Sequence, residues 1–150
     1  MFVSDQPFTL YMILVGVVGC GLAGHAWTKM KTMSKWHILG ACFLPLLSGI
    51  LFWSLALHMH THFNGWPEQI GDNGFPRALK QHANIQEFLF SCTFGVAFVV
   101  APLLALIFSL TPKLRPLLDY LGVFYLAFLL LALCIFTDIA PKGYRIWFWD

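Results

Sequence analysis

The sequence predicts an all-α protein, an integral membrane bundle of four transmembrane helices with both termini on the outer side. Of its 150 residues, 59% are hydrophobic and only 11% are charged, whereas soluble domains average about 25% charged residues. Four apolar segments are long enough to cross a hydrocarbon core of about 30 Å, which takes about 20 helical residues each. These segments lack the polar alternation of a barrel strand, so their backbone groups must be satisfied within helices.

The four spans are predicted at about 8–27, 36–57, 85–110 and 117–139. The first is counted as a span and not as a cleavable signal peptide, because Asp5 stands where a signal peptide carries basic residues. Pro45 and Pro102 each remove one helical hydrogen bond and are expected to bend the second and third spans. The chain shows no internal repeat, which predicts one four-helix domain over residues 1–150 with a polar outer-side loop at about 58–84.

The orientation follows from the basic residues of two short connections. The connections at 28–35 and 111–119 carry five of them: Lys29, Lys31, Lys35, Lys113 and Arg115. Cytoplasmic loops carry an excess of Lys and Arg, so both connections are predicted to face the cytoplasm. The protein is therefore expected to be a multi-pass protein of the bacterial inner membrane, with the 58–84 loop on the outer side.

Small residues recur along the first span. Gly16, Cys20 and Gly24 follow one another at every fourth position, and Gly19 and Ala23 form a second small pair. Small residues at this spacing let two helix backbones approach closely in lipid. Packing within the chain is the favoured interpretation, and a contact between copies is the alternative.

Three histidines follow the second span directly: His58, His60 and His62. If the helix continues through them, His58 and His62 share a face and His60 points away. If the chain is extended, all three lie on one side. They are tolerated polar residues at the membrane surface, ligands that bind a metal or haem together with His82, or contacts to a cofactor in a partner subunit.

A polar face begins the third span, where Pro76 is well placed as the first helical residue. Four side chains fall within about 80° of one another at helical spacing, namely Arg77, Lys80, Asn84 and Glu87. His82 lies about 140° away from Arg77. The four residues are expected either to bind a zwitterionic or carboxylated ligand or to satisfy one another. Glu87, just inside the membrane segment, is expected to face protein or water.

The run "GDNGFPRALKQHANIQEF" resembles the signature of the MAPEG superfamily, the membrane-associated proteins of eicosanoid and glutathione metabolism. The matching positions are Arg77, Lys80, His82, Asn84 and Glu87. The resemblance implies a four-helix protein, often trimeric, with Arg77, Asn84 and Glu87 as candidate glutathione contacts. It also implies thiol transfer or peroxide reduction on lipophilic substrates. In that family the motif opens the second helix, whereas here it opens the third.

The favoured function is an accessory or structural subunit of a larger membrane-embedded complex of the redox type, without enzyme activity of its own. The chain is small, and no nucleophile–base pair or pair of carboxylates lies within its apolar spans. One alternative is a MAPEG-like protein that binds glutathione or a lipophile, as a glutathione-dependent transferase or peroxidase. Another is a subunit that binds a metal ion or haem. The expected partners are the lipid bilayer and either other membrane subunits or further copies of the chain, and no nucleic acid.

Overall fold

The computed structural model describes residues 6–66, 76–137 and 139–144. Over these residues the chain forms helices and no strand, which confirms the all-α helical bundle. Within the same part of the chain, four helical segments are long and apolar enough to cross a membrane: Leu10–Thr32, Lys35–Phe63, Arg77–Leu110 and Leu117–Phe136. Each of the four predicted spans therefore corresponds to one helical segment.

The helices are α1 (Gln6–Lys29), α2 (Lys35–Phe63), α3 (Arg77–Gly95), α4 (Ala101–Leu110) and α5 (Leu117–Phe136). A π-helical turn over Val96–Val100 joins α3 to α4. The polar connection that we placed at about 58–84 is shorter than predicted, because the histidine run is the last part of α2. The Gly-Asp-x-Gly turn and the rest of 67–75 lie outside the described residues.

The chain divides into two compact units. The first unit comprises residues 1–43 and 94–128, and the second comprises residues 44–93 and 129–150. Helix α1 therefore belongs to the first unit alone. Helices α2 and α5 contribute to both units, and the last two residues of α3 belong to the first.

In the first unit, α1 packs on α5 through small residues. A Cβ atom at Gly122 would lie 2.3 Å from the carbonyl oxygen of Leu22 and 2.6 Å from the Cβ of Ala26. A Cβ atom at Gly19 would lie 2.8 Å from the ring of Tyr125. Only glycine permits this approach of the two helices.

The expectation that Gly16, Cys20 and Gly24 pack within the chain is wrong. All three are exposed, whereas Gly19 and Ala23 are buried. Both rows are rich in small residues, so spacing alone could not choose between them. The surface of α5 determines which row of α1 is buried, because Gly122 and Tyr125 of α5 pack against the side of α1 that contains Gly19.

A π turn precedes Pro102, where the sequence predicted a bend. The N–H of Ala101 donates to the carbonyl of Val96, and Pro102 has no N–H to offer. The carbonyls of Ala97 and Phe98 are satisfied instead by side chains. Tyr125 donates its hydroxyl to Ala97 at 2.8 Å, and Tyr11 donates its hydroxyl to Phe98. Neighbouring side chains thus replace the backbone donors that the proline removes.

The second unit has an aromatic and aliphatic core that anchors the chain after α5. Tyr144 is fully buried and donates its hydroxyl to the carbonyl of Phe52 at 2.9 Å. Its ring lies 4.9 Å from the Phe52 ring and 5.7 Å from the Trp66 ring, between centroids. The same core holds Met59 of α2 and Leu79 of α3, both fully buried. It therefore fixes the facing turns of α2 and α3 that carry the histidines.

Candidate functional site

Polar side chains line the interior between α2 and α3 in the second unit. We call these six residues the polar row: Ser48, Ser54 and His58 from α2, and His82, Gln86 and Thr93 from α3. On α3, the buried residues Leu79, Gln86 and Thr93 recur at every seventh position. Seven residues complete about two helical turns, so these side chains lie on one stripe. Ser48 and Gln86 on facing helices are both fully buried.

His58 and His82 form one end of the polar row, near the C-terminus of α2 and the N-terminus of α3. Their Nδ1 atoms lie 3.3 Å apart, and Nε2 of His82 lies 3.0 Å from the hydroxyl oxygen of Ser54. The Ser54 hydroxyl donates its one proton to the carbonyl of Leu51 at 3.1 Å. With that proton given to Leu51, Ser54 accepts a hydrogen bond from Nε2 of His82, and on this basis we assign the proton of His82 to Nε2.

The tautomer of His58 follows from that of His82. With a proton on Nε2, the neutral His82 ring has a lone pair on Nδ1 and can only accept there. The Nδ1 of His58 must then carry the proton that lies between the two rings. This leaves Nε2 of His58 with a lone pair. An imidazole whose Nδ1–H is held in this way is oriented to accept a proton or to bind a metal through Nε2.

The other two histidines of the run lie elsewhere. Helix α2 continues through all three, so the helical alternative is the one observed. His60 packs edge-on against Trp66 with ring centroids 5.1 Å apart, and His62 packs against Phe63 at 4.9 Å. Both histidines are exposed, whereas His58 is half-buried.

The four histidines proposed as metal ligands are therefore not brought together as one set. Among the described residues, no group of three or more His, Cys, Asp or Glu side chains is placed to hold a metal ion. Metal or haem binding by His58, His60, His62 and His82 stays a prediction. Of the four histidines, His58 and His82 are the two whose rings the structure brings into contact.

The lower part of the polar row contains a satisfied pair and an unsatisfied amide. The hydroxyls of Ser48 and Thr93 lie 2.7 Å apart, and both can donate to the carbonyl of Leu89, at 3.2 and 2.7 Å. Gln86 is fully buried, and neither its amide nitrogen nor its amide oxygen has a hydrogen-bond partner among the described residues. A buried group in this state costs about 1–3 kcal/mol.

The predicted polar face of α3 is exposed. Arg77, Lys80, Asn84 and Glu87 are each exposed, and we call this set the charged stripe. Within the described part of the chain, the single ion pair joins His25 to Asp119 at 3.2 Å. The residues of the charged stripe make no hydrogen bond or ion pair with one another there. The sequence analysis gave two alternatives for this face, binding of a ligand or pairing of the four side chains with one another. The described residues do not show the pairing.

The residues of the MAPEG-like run are divided between the two faces of α3. The charged stripe points away from the rest of the chain, whereas His82 turns inward to His58 and Ser54. This agrees with the angle of about 140° expected between Arg77 and His82. The remaining polar-row residues, Ser48, Ser54, Gln86 and Thr93, escaped the sequence analysis. The spacing of seven from Gln86 to Thr93 is the signal that would have found two of them.

Comparisons with known proteins give no relative. No family model, no curated protein and no solved structure matches the chain. The resemblance to the MAPEG superfamily rests on residues 71–88 alone and stays a prediction. What the chain does is inferred below from the two polar faces of α3.

Proposed function

We propose that the protein is an accessory subunit of a larger membrane-embedded complex and that the charged stripe of α3 binds its partner. The observation that supports this is the exposure of Arg77, Lys80, Asn84 and Glu87 in a segment apolar enough to span a membrane. Charged side chains in a membrane segment are costly when they meet lipid, so such residues face protein or water. A partner surface removes this cost.

Glu87 makes the strongest case for a protein partner. It lies ten residues beyond Arg77, about 15 Å further along the helix. Its neighbours Ile85 and Phe88 are 54% and 67% exposed, so a carboxylate and large apolar side chains emerge from the same surface. A mixed surface of this kind is typical of an interface between proteins rather than of a surface that meets lipid alone.

The order of charges along the stripe favours a different protein over a second copy. Copies inserted in one orientation are related by an axis along the membrane normal, so their α3 helices run parallel and equivalent residues meet at equal depth. Arg77 and Lys80 would then face the same cations of the other copy. A partner helix with acidic residues near its end and a basic residue deeper complements the stripe.

The polar row supports a complex of the redox type. Chains of histidine and other protonatable or hydroxyl side chains inside membrane bundles mark proton pathways in pumps and transporters. His58 offers a lone pair on Nε2, and His82 and Ser54 connect that ring to the carbonyl of Leu51. The subunit would thus supply a proton acceptor between α2 and α3. We assign no catalytic residue to the chain itself.

Native mass spectrometry after mild solubilisation of the source membranes tests the partner. The wild type is expected in a stoichiometric complex with one defined membrane protein. The double variant R77Q/K80Q is expected to lose that protein, whereas K31Q/K142Q, which removes two exposed cations outside the stripe, keeps it. A stable homo-oligomer without other proteins, or equal retention by both variants, contradicts the proposal.

The proposed location is the bacterial inner membrane, with Lys31 on the cytoplasmic side and α3 beginning on the outer side. The five basic residues of the two short connections support this orientation. In a cysteine-free background, a cysteine at Gln81 is expected to react with an impermeant maleimide in intact cells. A cysteine at Lys31 is expected to react only after lysis, and the reverse pattern contradicts the orientation.

Glutathione binding, with the transferase or peroxidase activity of a MAPEG-like protein, is a second candidate. The observation that favours it is the common exposure of two cations, an amide and a carboxylate on one face of α3. The cations suit the carboxylates of glutathione, and Glu87 suits its ammonium group. Titration calorimetry of the detergent-purified chain is expected to show heat on addition of glutathione, weakened in R77A. An absence of heat rules out glutathione binding and leaves the proposal of an accessory subunit unaffected.

A further inference from the structure

An apolar groove runs between α1 and α4 in the first unit. Its volume is about 430 Å³. One wall is a stripe of α1 that includes Leu14, Val18 and Leu22, and the other wall includes Ala105 and Leu106 of α4. Nothing in the proposed function uses this groove.

The length of the groove matches one acyl chain. From Tyr11 to Leu22 the groove follows α1 for about 16 Å, which is close to the hydrocarbon depth of one leaflet, about 15 Å. Its walls are apolar along this length, as an acyl chain requires.

The two ends of the groove differ in polarity. Tyr11 lines one end, and its hydroxyl is occupied by the carbonyl of Phe98. Ser109 lines the other end, where Nε of Arg115 donates to the Ser109 carbonyl at 3.3 Å. This hydrogen bond places the guanidinium of Arg115 at the mouth of the groove.

The guanidinium of Arg115 remains able to bind an anion. Arginine has five N–H donors, of which the bond to Ser109 uses one, and its two terminal nitrogens suit a phosphate. The nearby acid Asp119 is paired with His25 at 3.2 Å. Lys113, exposed on the same connection, adds a second cation. This connection is predicted to face the cytoplasm, whose leaflet carries anionic lipid.

We propose that the groove is a binding site for one anionic phospholipid. One acyl chain lies between α1 and α4, and the phosphate is bound by Arg115 with Lys113 beside it. The apolar walls supply affinity for the chain, and the cations supply preference for a negatively charged headgroup. This site is independent of the charged stripe, so the proposal stands or fails separately from the partner interface.

Native mass spectrometry of the delipidated, detergent-purified full chain tests the site. Phosphatidylglycerol and phosphatidylcholine with identical acyl chains are added in turn. The wild type is expected to retain one phosphatidylglycerol and to lose phosphatidylcholine under the same activation. R115Q is expected to reduce retention of phosphatidylglycerol about tenfold, as one charge-assisted contact is lost. A105F, which fills the groove, is expected to abolish retention of phosphatidylglycerol.

The matched controls are L103F and K142Q, at two exposed positions that do not line the groove. Both controls are expected to bind as the wild type does. Equal retention of the two lipids by the wild type overturns the proposal, and so does undiminished binding by R115Q or A105F. A dimer that A105F alone dissociates would assign the groove to a second copy and would also overturn it.

Discussion

The Nδ1 atoms of His58 and His82 lie 3.3 Å apart between two facing helices, and the hydrogen bonds around them give each ring one tautomer. Ser54 sets the direction of this series of hydrogen bonds, because its only proton goes to the carbonyl of Leu51. The order of donors is therefore His58 to His82, His82 to Ser54, and Ser54 to the Leu51 carbonyl. The chemical consequence is that Nε2 of His58 keeps a lone pair that this series of hydrogen bonds does not use.

This assignment predicts a specific pair of nuclear magnetic resonance signatures. In protein labelled with ¹⁵N-histidine and studied at about pH 8, His58 is expected to be protonated on Nδ1 and His82 on Nε2. S54A removes the acceptor and is expected to release His82 to a mixture of tautomers, whereas H60Q and H62Q leave both signals unchanged. An Nε2-protonated His58 in the wild type would refute the assignment.

Gln86 predicts a gain in stability on substitution by an apolar residue. Its buried amide carries two groups without a partner among the described residues, and each such group costs about 1–3 kcal/mol. Q86L keeps much of the volume and removes both groups, so the free energy of unfolding in detergent is expected to rise by about 2 kcal/mol or more. Q81L, at an exposed position of α3, is expected to change it little. A loss of stability in Q86L would mean that the folded protein does satisfy the amide.

Hydropathy was enough to place the four helical segments, because each is long and apolar through its centre. Hydropathy alone ended the second span at about 57, before the end of α2. It began the third span at about 85, after the start of α3. Polar side chains at the ends of α2 and α3 lower hydropathy but leave the hydrogen-bond ladder intact, so the helices continue to Phe63 and start at Arg77. The histidine run, for which the sequence left a helical and an extended conformation open, belongs to α2.

The two faces of α3 show what periodicity can and cannot give. Angles alone separated Arg77 from His82 correctly, since α3 is a regular helix over those residues. They could not show which face turns inward, because that depends on α2. The partners Ser54 and His58 became visible only when the two helices were placed together. The groove of α1 and α4 was likewise beyond prediction, since its walls come from distant parts of the sequence.

Tyr144 predicts a stability that depends on pH. Burial raises the pKa of this phenol above its usual value of 10.0, so the folded protein holds the proton more tightly than the unfolded chain does. The resulting stability is fully present below about pH 10 and is lost as the pH rises through the folded-state pKa. Y144F also loses the hydrogen bond to Phe52, which is expected to lower the free energy of unfolding at pH 8 by about 0.5–1.5 kcal/mol.

The measurement compares wild type and Y144F in detergent at pH 8 and pH 11. At pH 8 the wild type is expected to have the larger free energy of unfolding. This difference is expected to shrink at pH 11, because the tyrosine of the wild type can lose a proton and the phenylalanine of Y144F cannot. Y120F serves as the control, because the described contact of Tyr120 is a ring contact with His37. An advantage that stays constant or grows between the two pH values contradicts the role given to the buried phenol.

The π turn predicts an energetic coupling between Tyr125 and Pro102. Tyr125 satisfies the carbonyl of Ala97 because the N–H of Ala101 is given to Val96 and Pro102 has none. Y125F leaves that buried carbonyl without a donor, which is expected to cost about 1–3 kcal/mol. In P102A, residue 102 regains an N–H, and the segment can return to α-helical bonds in which Ala101 donates to Ala97. The tyrosine hydroxyl is then no longer required.

A double-mutant cycle measures this coupling. Unfolding free energies of the wild type, Y125F, P102A and Y125F/P102A are compared in one detergent. The cost of Y125F is expected to be smaller in the P102A background than in the wild type by at least about 0.5 kcal/mol. Y120F, tested in both backgrounds, is expected to show no such difference. Equal costs of Y125F in the two backgrounds would mean that the hydroxyl stabilises the fold through some contact other than the carbonyl freed by the π turn.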